Sequence, residues 1–291
     1  MIDVFYLSLK KDTPNNSYWD YTFLNDYLSG KMWRPYNFPK FNPKEVSKLP
    51  ASDKAIVIIP ARHHEGLEKQ INQQLQDIDR VVVFLMGDEE ADFNVFKIKH
   101  KRSQIWVQNP HPKKHDGYNL LGTGYAPISK LDYKPKSVDL FFSGQLTHKR
   151  RMDMWEQLLQ FEILDGTADL NGTKGFTQGY EPKEYFERMQ KAKFAPCPSG
   201  AVIPDSFRLH EALEMMCVPL ADDRNSQGTI DDYWAFLYPD APLITVKDWN
   251  SLRGYIQDTN KHYRQTQFDL TTWWIKYKRN FAYKVTEFIN E

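Results

Sequence analysis

The chain has 291 residues, enough for one large domain or two modest ones. Hydrophobic residues make up 41% and charged residues 26%, a balance that excludes a disordered or fibrous chain. Lys plus Arg and Asp plus Glu each number 38, so the net charge is zero and no global field draws in nucleic acid or an anionic membrane.

The first apolar run is Val4 to Leu9, reached directly from Met1-Ile2-Asp3 without the basic start and apolar stretch of a signal peptide. No apolar run approaches the roughly 20 residues a membrane helix needs. The only cysteines, Cys197 and Cys217, form no C-x-x-C pair and no disulfide framework. Reduced thiols and a cytoplasmic location are the expectation.

Further strands are predicted at Ala55–Ile59, stopped by Pro60, at Val81–Met86 and at Ile105–Val107, with a surface helix over Leu67–Leu75. Residues 110–137, rich in Pro, Gly, Lys and Tyr, read as a linker or mobile loop. A second alternation follows. It has strand Val138–Phe142, helices His148–Leu159 and Pro182–Lys191, strand Phe194–Pro196, helix Ser206–Met216 and strands Val218–Ala221 and Leu243–Val246. A helix starts at Asp248, and Asp269–Glu291 reads as a terminal helix with an aromatic face that includes Trp273, Trp274, Tyr277 and Phe281. Two βα units in series place a ligand at the carboxyl ends of parallel strands, in a cleft between the units. No G-x-G-x-x-G follows the first strand, where Leu9-Lys10-Lys11-Asp12 stands, which disfavours a dinucleotide-dependent dehydrogenase.

The most informative stretch is Phe194-Ala195-Pro196-Cys197-Pro198-Ser199-Gly200, continuing through Asp205-Ser206-Phe207-Arg208-Leu209-His210-Glu211-Ala212-Leu213 to Cys217-Val218-Pro219-Leu220. It parses as strand, small-residue loop, helix, tight turn and strand. Ser206 or Asp205 can cap the helix, whose N-terminus favours an anion. Leu209, Ala212, Leu213 and Met216 fall at the spacing of a buried stripe. Arg208 and Glu211, three apart, share another face. They are either an ordinary surface pair or a guanidinium for diphosphate beside a carboxylate for ribose hydroxyls.

This segment resembles the nucleotide-sugar region of GT-B glycosyltransferases, and most of all the exostosin-like family. Asp139-Leu140-Phe141-Phe142-Ser143-Gly144 followed by Arg150-Arg151 is similar to the same family's Phe-Phe-x-Gly and Arg-containing loop. The likeness spans about residues 138–223. It departs at Met216, where the family has Gly and a Met asks for a different turn geometry. The resemblance implies an α/β fold of GT-B type: two Rossmann-like parallel-sheet domains facing a central cleft. An acceptor-side domain would span 1–130, a nucleotide-sugar domain 131–265, and a helix 266–291 would return to the first. It implies a sugar transferred from a nucleotide sugar, a UDP-sugar foremost, to a hydroxyl of a glycan or glycoconjugate, with no bound cofactor. Glu211 would hold the ribose, and Ser206, Phe207 and Arg208 the diphosphate, with Gly144 and Arg150 or Arg151 approaching the phosphates. The loop from Gly172 to Tyr180 faces the base or lies in solvent.

A hydroxyl acceptor must lose its proton, and an inverting reaction takes it with an Asp, Glu or His. Candidates follow the first-domain strands: Asp20, His63, His64, Glu65 and Asp88. Retaining GT-B enzymes often carry a second Glu eight positions ahead, where Ile203 stands, so inversion is expected. The single D-x-D, Asp77-Ile78-Asp79, precedes a strand instead of following one, so no metal is expected. A glycan or glycoconjugate hydroxyl stays the first choice of acceptor, and the basic groups at Lys97–Arg102, Lys113–His115, Lys149–Arg151 and Lys276–Arg279 admit two readings. They are solvated faces, or they track a duplex as in phage enzymes that glycosylate a hydroxymethylated DNA base. A binding module without catalysis is the rival from another class.

Overall fold

The computed structural model describes residues 2–7, 18–29, 43–60, 67–88, 97–115, 117–126, 128, 132, 134–175 and 178–291. The chain divides into two compact units, Met1–Ala126 with Lys276–Glu291, and Pro127–Ile275. No helix among the described residues is long and apolar enough to cross a membrane.

The first unit contains β1 (Asp3–Leu7), α1 (Tyr18–Ser29), β2 (Lys44–Val46), β3 (Ser52–Pro60), α2 (Glu68–Leu75), β4 (Ile78–Met86), β5 (Ser103–Gln108) and β6 (Asn119–Leu121). All pairings are parallel, in the order β2-β1-β3-β4-β5-β6. Ile56 to Ile59 and Val81 to Phe84 are fully buried. Such continuous apolar runs are what strands covered on both faces require. Pro60 ends β3 from inside the strand, in register with Met86, one residue beyond the expected stop. The stretch read as a linker holds β6 and the buried Tyr125. A three-residue edge strand is too short to leave a pattern.

The second unit contains β7 (Val138–Gln145), α3 (Lys149–Leu164), β8 (Ala168–Thr173), α4 (Pro182–Gln190), β9 (Ala192–Cys197), α5 (Phe207–Glu214), β10 (Val218–Asp222), α6 (Tyr233–Leu237), β11 (Ile244–Val246) and α7 (Leu252–Asn260). Its sheet is also parallel, in the order β11-β10-β9-β7-β8. Gly172 and Thr173, read as loop, are the last residues of β8. Each unit is a parallel-sheet α/β fold, as the GT-B resemblance implies.

The last helix, α8, runs Tyr263–Asn290, six residues earlier than the pattern indicated. Its aromatic residues serve two cores. Trp273 packs on Tyr238 and Trp274 on His210 in the second unit, while Phe281 packs on Trp106 and Tyr27 in the first. Arg80 donates to the Phe288 carbonyl at 2.7 Å and lies over the Phe288 ring, placing a cation at the negative end of the helix.

Met216 corrects the expected change in turn geometry. The Cys217 N–H reaches the Ala212 carbonyl at 2.8 Å and the Met216 N–H that of Leu213 at 3.2 Å, the paired bonds of a Schellman ending. Met216 takes the left-handed position itself, at φ 53°. The turn is kept and the strain is accepted, and the buried member of the stripe is Met215 instead. Met216→Gly is expected to stabilise the fold by about 0.5–1 kcal/mol, the relieved strain less the extra chain entropy of Gly. Thermal denaturation checks this as a rise in Tm.

Candidate functional site

In the second unit the chain leaves β7 for β8 on one side and returns to β9 on the other. Loops at the carboxyl ends of β7 and β9 therefore diverge, opening the crevice where open parallel sheets bind ligands. β7 ends in Ser143, Gly144 and Gln145, and the short loop after it leads to His148, which precedes α3. The loop after β9 runs from Pro198 and Ser199 to Ser206, which precedes α5.

Ser199 ties these loops together. Its N–H donates to Asp222 Oδ2 at 3.2 Å, and its carbonyl accepts from Arg151 Nε at 3.0 Å and from His148 Nε2 at 3.2 Å. Its hydroxyl, fully buried, has no partner. A Cβ on Gly200 would sit 2.8 Å from the Ile203 carbonyl oxygen, so the loop can double back only with Gly there.

The two arginines that follow β7 diverge in role. Arg150 grips the buried Asp222 with Nε and Nη2, locking α3 to the end of β10. Asp222 also accepts from Trp249 Nε1 at 3.1 Å. Among the described residues Arg151 makes no ion pair; it donates to the carbonyls of Ser199 and Gln145. Burial, with Arg208 adding repulsion, pushes its guanidinium down to about 10.

Arg208 donates from Nη2 to the Ser143 carbonyl and lies 4.6 Å from the centre of the Phe142 ring. Its Nε is buried without a partner. Ser206 stands at the N-cap of α5 in extended conformation, but its hydroxyl caps nothing and is also unpartnered. Phe207 is the first residue of α5 and half-buried.

Glu211 is 8% exposed, which rules out the surface pair with Arg208. Tyr185 on α4 donates to its Oε2 at 2.8 Å. Burial raises the Glu211 carboxyl, while Tyr185 and Arg208 oppose the shift. Tyr185, His148 and Ser199 are site residues that the sequence did not single out. Nothing in a Tyr of α4 signals that it meets α5.

In the first unit Asp88 follows β4 and is buried. Asp20 lies in α1, with its side chain outside the described residues, and His63, His64 and Glu65 are also outside them. His115 is buried, accepts the His111 N–H on Nδ1 at 2.7 Å and is pushed down to about 4 by burial. Asp79 of the D-x-D pairs with Arg102 at 3.0 Å. Part of the basic surface is neutralised locally, since Lys149 pairs with Asp153 at 2.7 Å. Among the described residues, Asp223, Asp231 and Asp232 are grouped closely enough to hold a cation. Arg224 and Lys247 already pair with that trio. Cys197 and Cys217 are free and buried.

No curated protein matches the chain. Residues 177–291 match a family model described as the RXYLT1 C-terminal domain. The match takes in Tyr185, Ser199, Ser206, Arg208 and Glu211, and leaves the β7 loop and α3 outside it. From α4 to the end of α8 the chain is therefore similar to the RXYLT1 C-terminal domain.

Proposed function

We propose that this protein transfers a sugar from a nucleotide sugar to a hydroxyl of a glycan or glycoconjugate, with the donor diphosphate held at the carboxyl ends of β7 and β9. The observation that carries this reading is an imbalance of charge. Arg151 and Arg208 lie close enough to repel each other, and neither makes an ion pair among the described residues. Beside them are the unpartnered hydroxyls of Ser199 and Ser206. Half-buried like charges and orphaned buried donors cost stability unless a ligand completes them. A diphosphate supplies the missing charge and acceptors, and Glu211 supplies the carboxylate that ribose hydroxyls need.

Transfer requires stabilising the departing nucleoside diphosphate. Arg151, Arg208 and the N-terminus of α5 do this without reorganising, and each such donor contributes about 10²–10³ in rate. The reaction is inverting and independent of a metal ion. One of Asp20, His63, His64, Glu65 and Asp88 takes the acceptor proton, and the donor is a UDP-sugar.

Incubation with UDP-glucose, UDP-N-acetylglucosamine, UDP-xylose and GDP-mannose tests the reading. A donor present at 100 times its Kd adds about 2.7 kcal/mol to stability and raises Tm. Slow release of free nucleoside diphosphate then separates an enzyme from a binding module. A panel that leaves Tm unchanged and releases nothing overturns the proposal.

Gly144→Ala probes the same seat from the backbone. The new Cβ would collide with Arg208 Nη2, and the guanidinium must move off the Ser143 carbonyl to relieve the clash. Donor affinity is expected to fall roughly tenfold, the worth of one charge-assisted bond, with Tm of the free protein nearly unchanged. Equal donor affinity in the variant would show that Arg208 does not bind from its observed position.

A further inference from the structure

His148 has a place that no motif assigns it. It precedes α3, and its Nε2 lies 3.2 Å from the Ser199 carbonyl. A carbonyl oxygen only accepts, so Nε2 carries the hydrogen and the neutral ring has a lone pair on Nδ1. That Nδ1 is buried and has no partner. Its neighbours are Arg150 and Arg151 on α3 and Asp222 at the end of β10, and Arg150 is already committed to Asp222. A lone pair in this cationic setting is poorly matched to an incoming phosphate, whereas an N–H is well matched.

We propose that His148 takes up a proton on Nδ1 as a diphosphate settles between the ends of β7 and β9, and so becomes a further donor to that anion. The inference rests on the donor-site reading above. The proton comes from solvent, Nε2 keeps its own hydrogen on the Ser199 carbonyl, and the ring changes from neutral to cationic. No bond to the ligand is made or broken. In the ligand-free protein, burial and then Arg151 hold the imidazole below its ordinary value, which keeps it neutral at physiological pH. The bound anion reverses that balance. Between the free and bound pKa values, affinity therefore falls as pH rises, by up to tenfold per pH unit.

The experiment is calorimetric titration of the full chain with whichever of UDP-glucose, UDP-N-acetylglucosamine, UDP-xylose and GDP-mannose binds. Both phosphates of these donors are diesters and do not titrate near neutral pH. Heats measured in two buffers of different ionisation enthalpy give the protons taken up per ligand. Uptake of a fraction approaching one proton by the wild-type chain is the expected result. His148→Gln preserves an N–H for the Ser199 carbonyl but cannot protonate, and should abolish the uptake and flatten the fall in affinity with rising pH. Donor binding with no uptake, or with the same uptake in His148→Gln, overturns this proposal while leaving the donor site standing. No binding of any donor to the wild-type chain overturns both.

Discussion

Asp222→Ala is expected to cost about 3 kcal/mol of folding stability, because it strands the largely buried Arg150 guanidinium that the carboxylate neutralises. Asp222 is fully buried and takes both Arg150 nitrogens, the Ser199 N–H and Trp249 Nε1. It therefore holds α3, the β9 loop and the Trp249 turn to the end of β10 at once. Denaturant titration should show a large drop in midpoint, and Arg150→Ala should show a similar one. Because both residues belong to one contact, the double variant should cost much less than the sum of the two. A loss below 1 kcal/mol in Asp222→Ala would mean that the loops are held by something else. Arg150 is thus committed to Asp222, whereas the adjacent Arg151 donates to backbone carbonyls.

Glu211→Gln is expected to weaken donor binding about 10- to 100-fold, the worth of one or two hydrogen bonds to a charged acceptor. The amide oxygen still accepts from Tyr185, so the Tm of the free protein should change little. Glu211→Ala should lose at least as much affinity but also leave the buried Tyr185 hydroxyl unpaired, costing about 1–3 kcal/mol of stability. The Gln variant thus separates binding from folding. Unchanged affinity in Glu211→Gln would remove Glu211 from the site.

The pH dependence of donor affinity follows from the same geometry. Burial raises the Glu211 carboxyl, so on acidification it protonates earlier than an ordinary carboxylate and affinity falls on that side. His148 governs the opposite limb, where affinity falls as pH rises. Tyr185→Phe removes a hydrogen bond to the ionised form and should shift the acid limb to higher pH without moving the other.

Much of the architecture was legible because parallel strands covered on both faces leave continuous apolar runs, as at Ala55–Ile59 and Val81–Met86. β8 escaped notice because its Ala-Asp-Leu-Asn-Gly-Thr carries one large apolar side chain and every residue in it is partly exposed. Met216 misled for a different reason. Its residue type argues against a left-handed ending, but the buried strand that follows holds the chain in that turn.

The site divides along the same line. Sequence alone determined that a strand, a small-residue loop and a helix bearing Arg208 and Glu211 follow one another near residue 200, because each is encoded by neighbours within a few positions. Tertiary structure alone decided which polar groups are already satisfied. Arg150 and Arg151 are adjacent and alike in type, yet the turn of α3 sends one to Asp222 and the other to Ser199. Tyr185 reaches Glu211 across 26 positions and His148 reaches Ser199 across 51. What a side chain has left to offer a ligand depends on partners brought together by folding, and no local pattern records them.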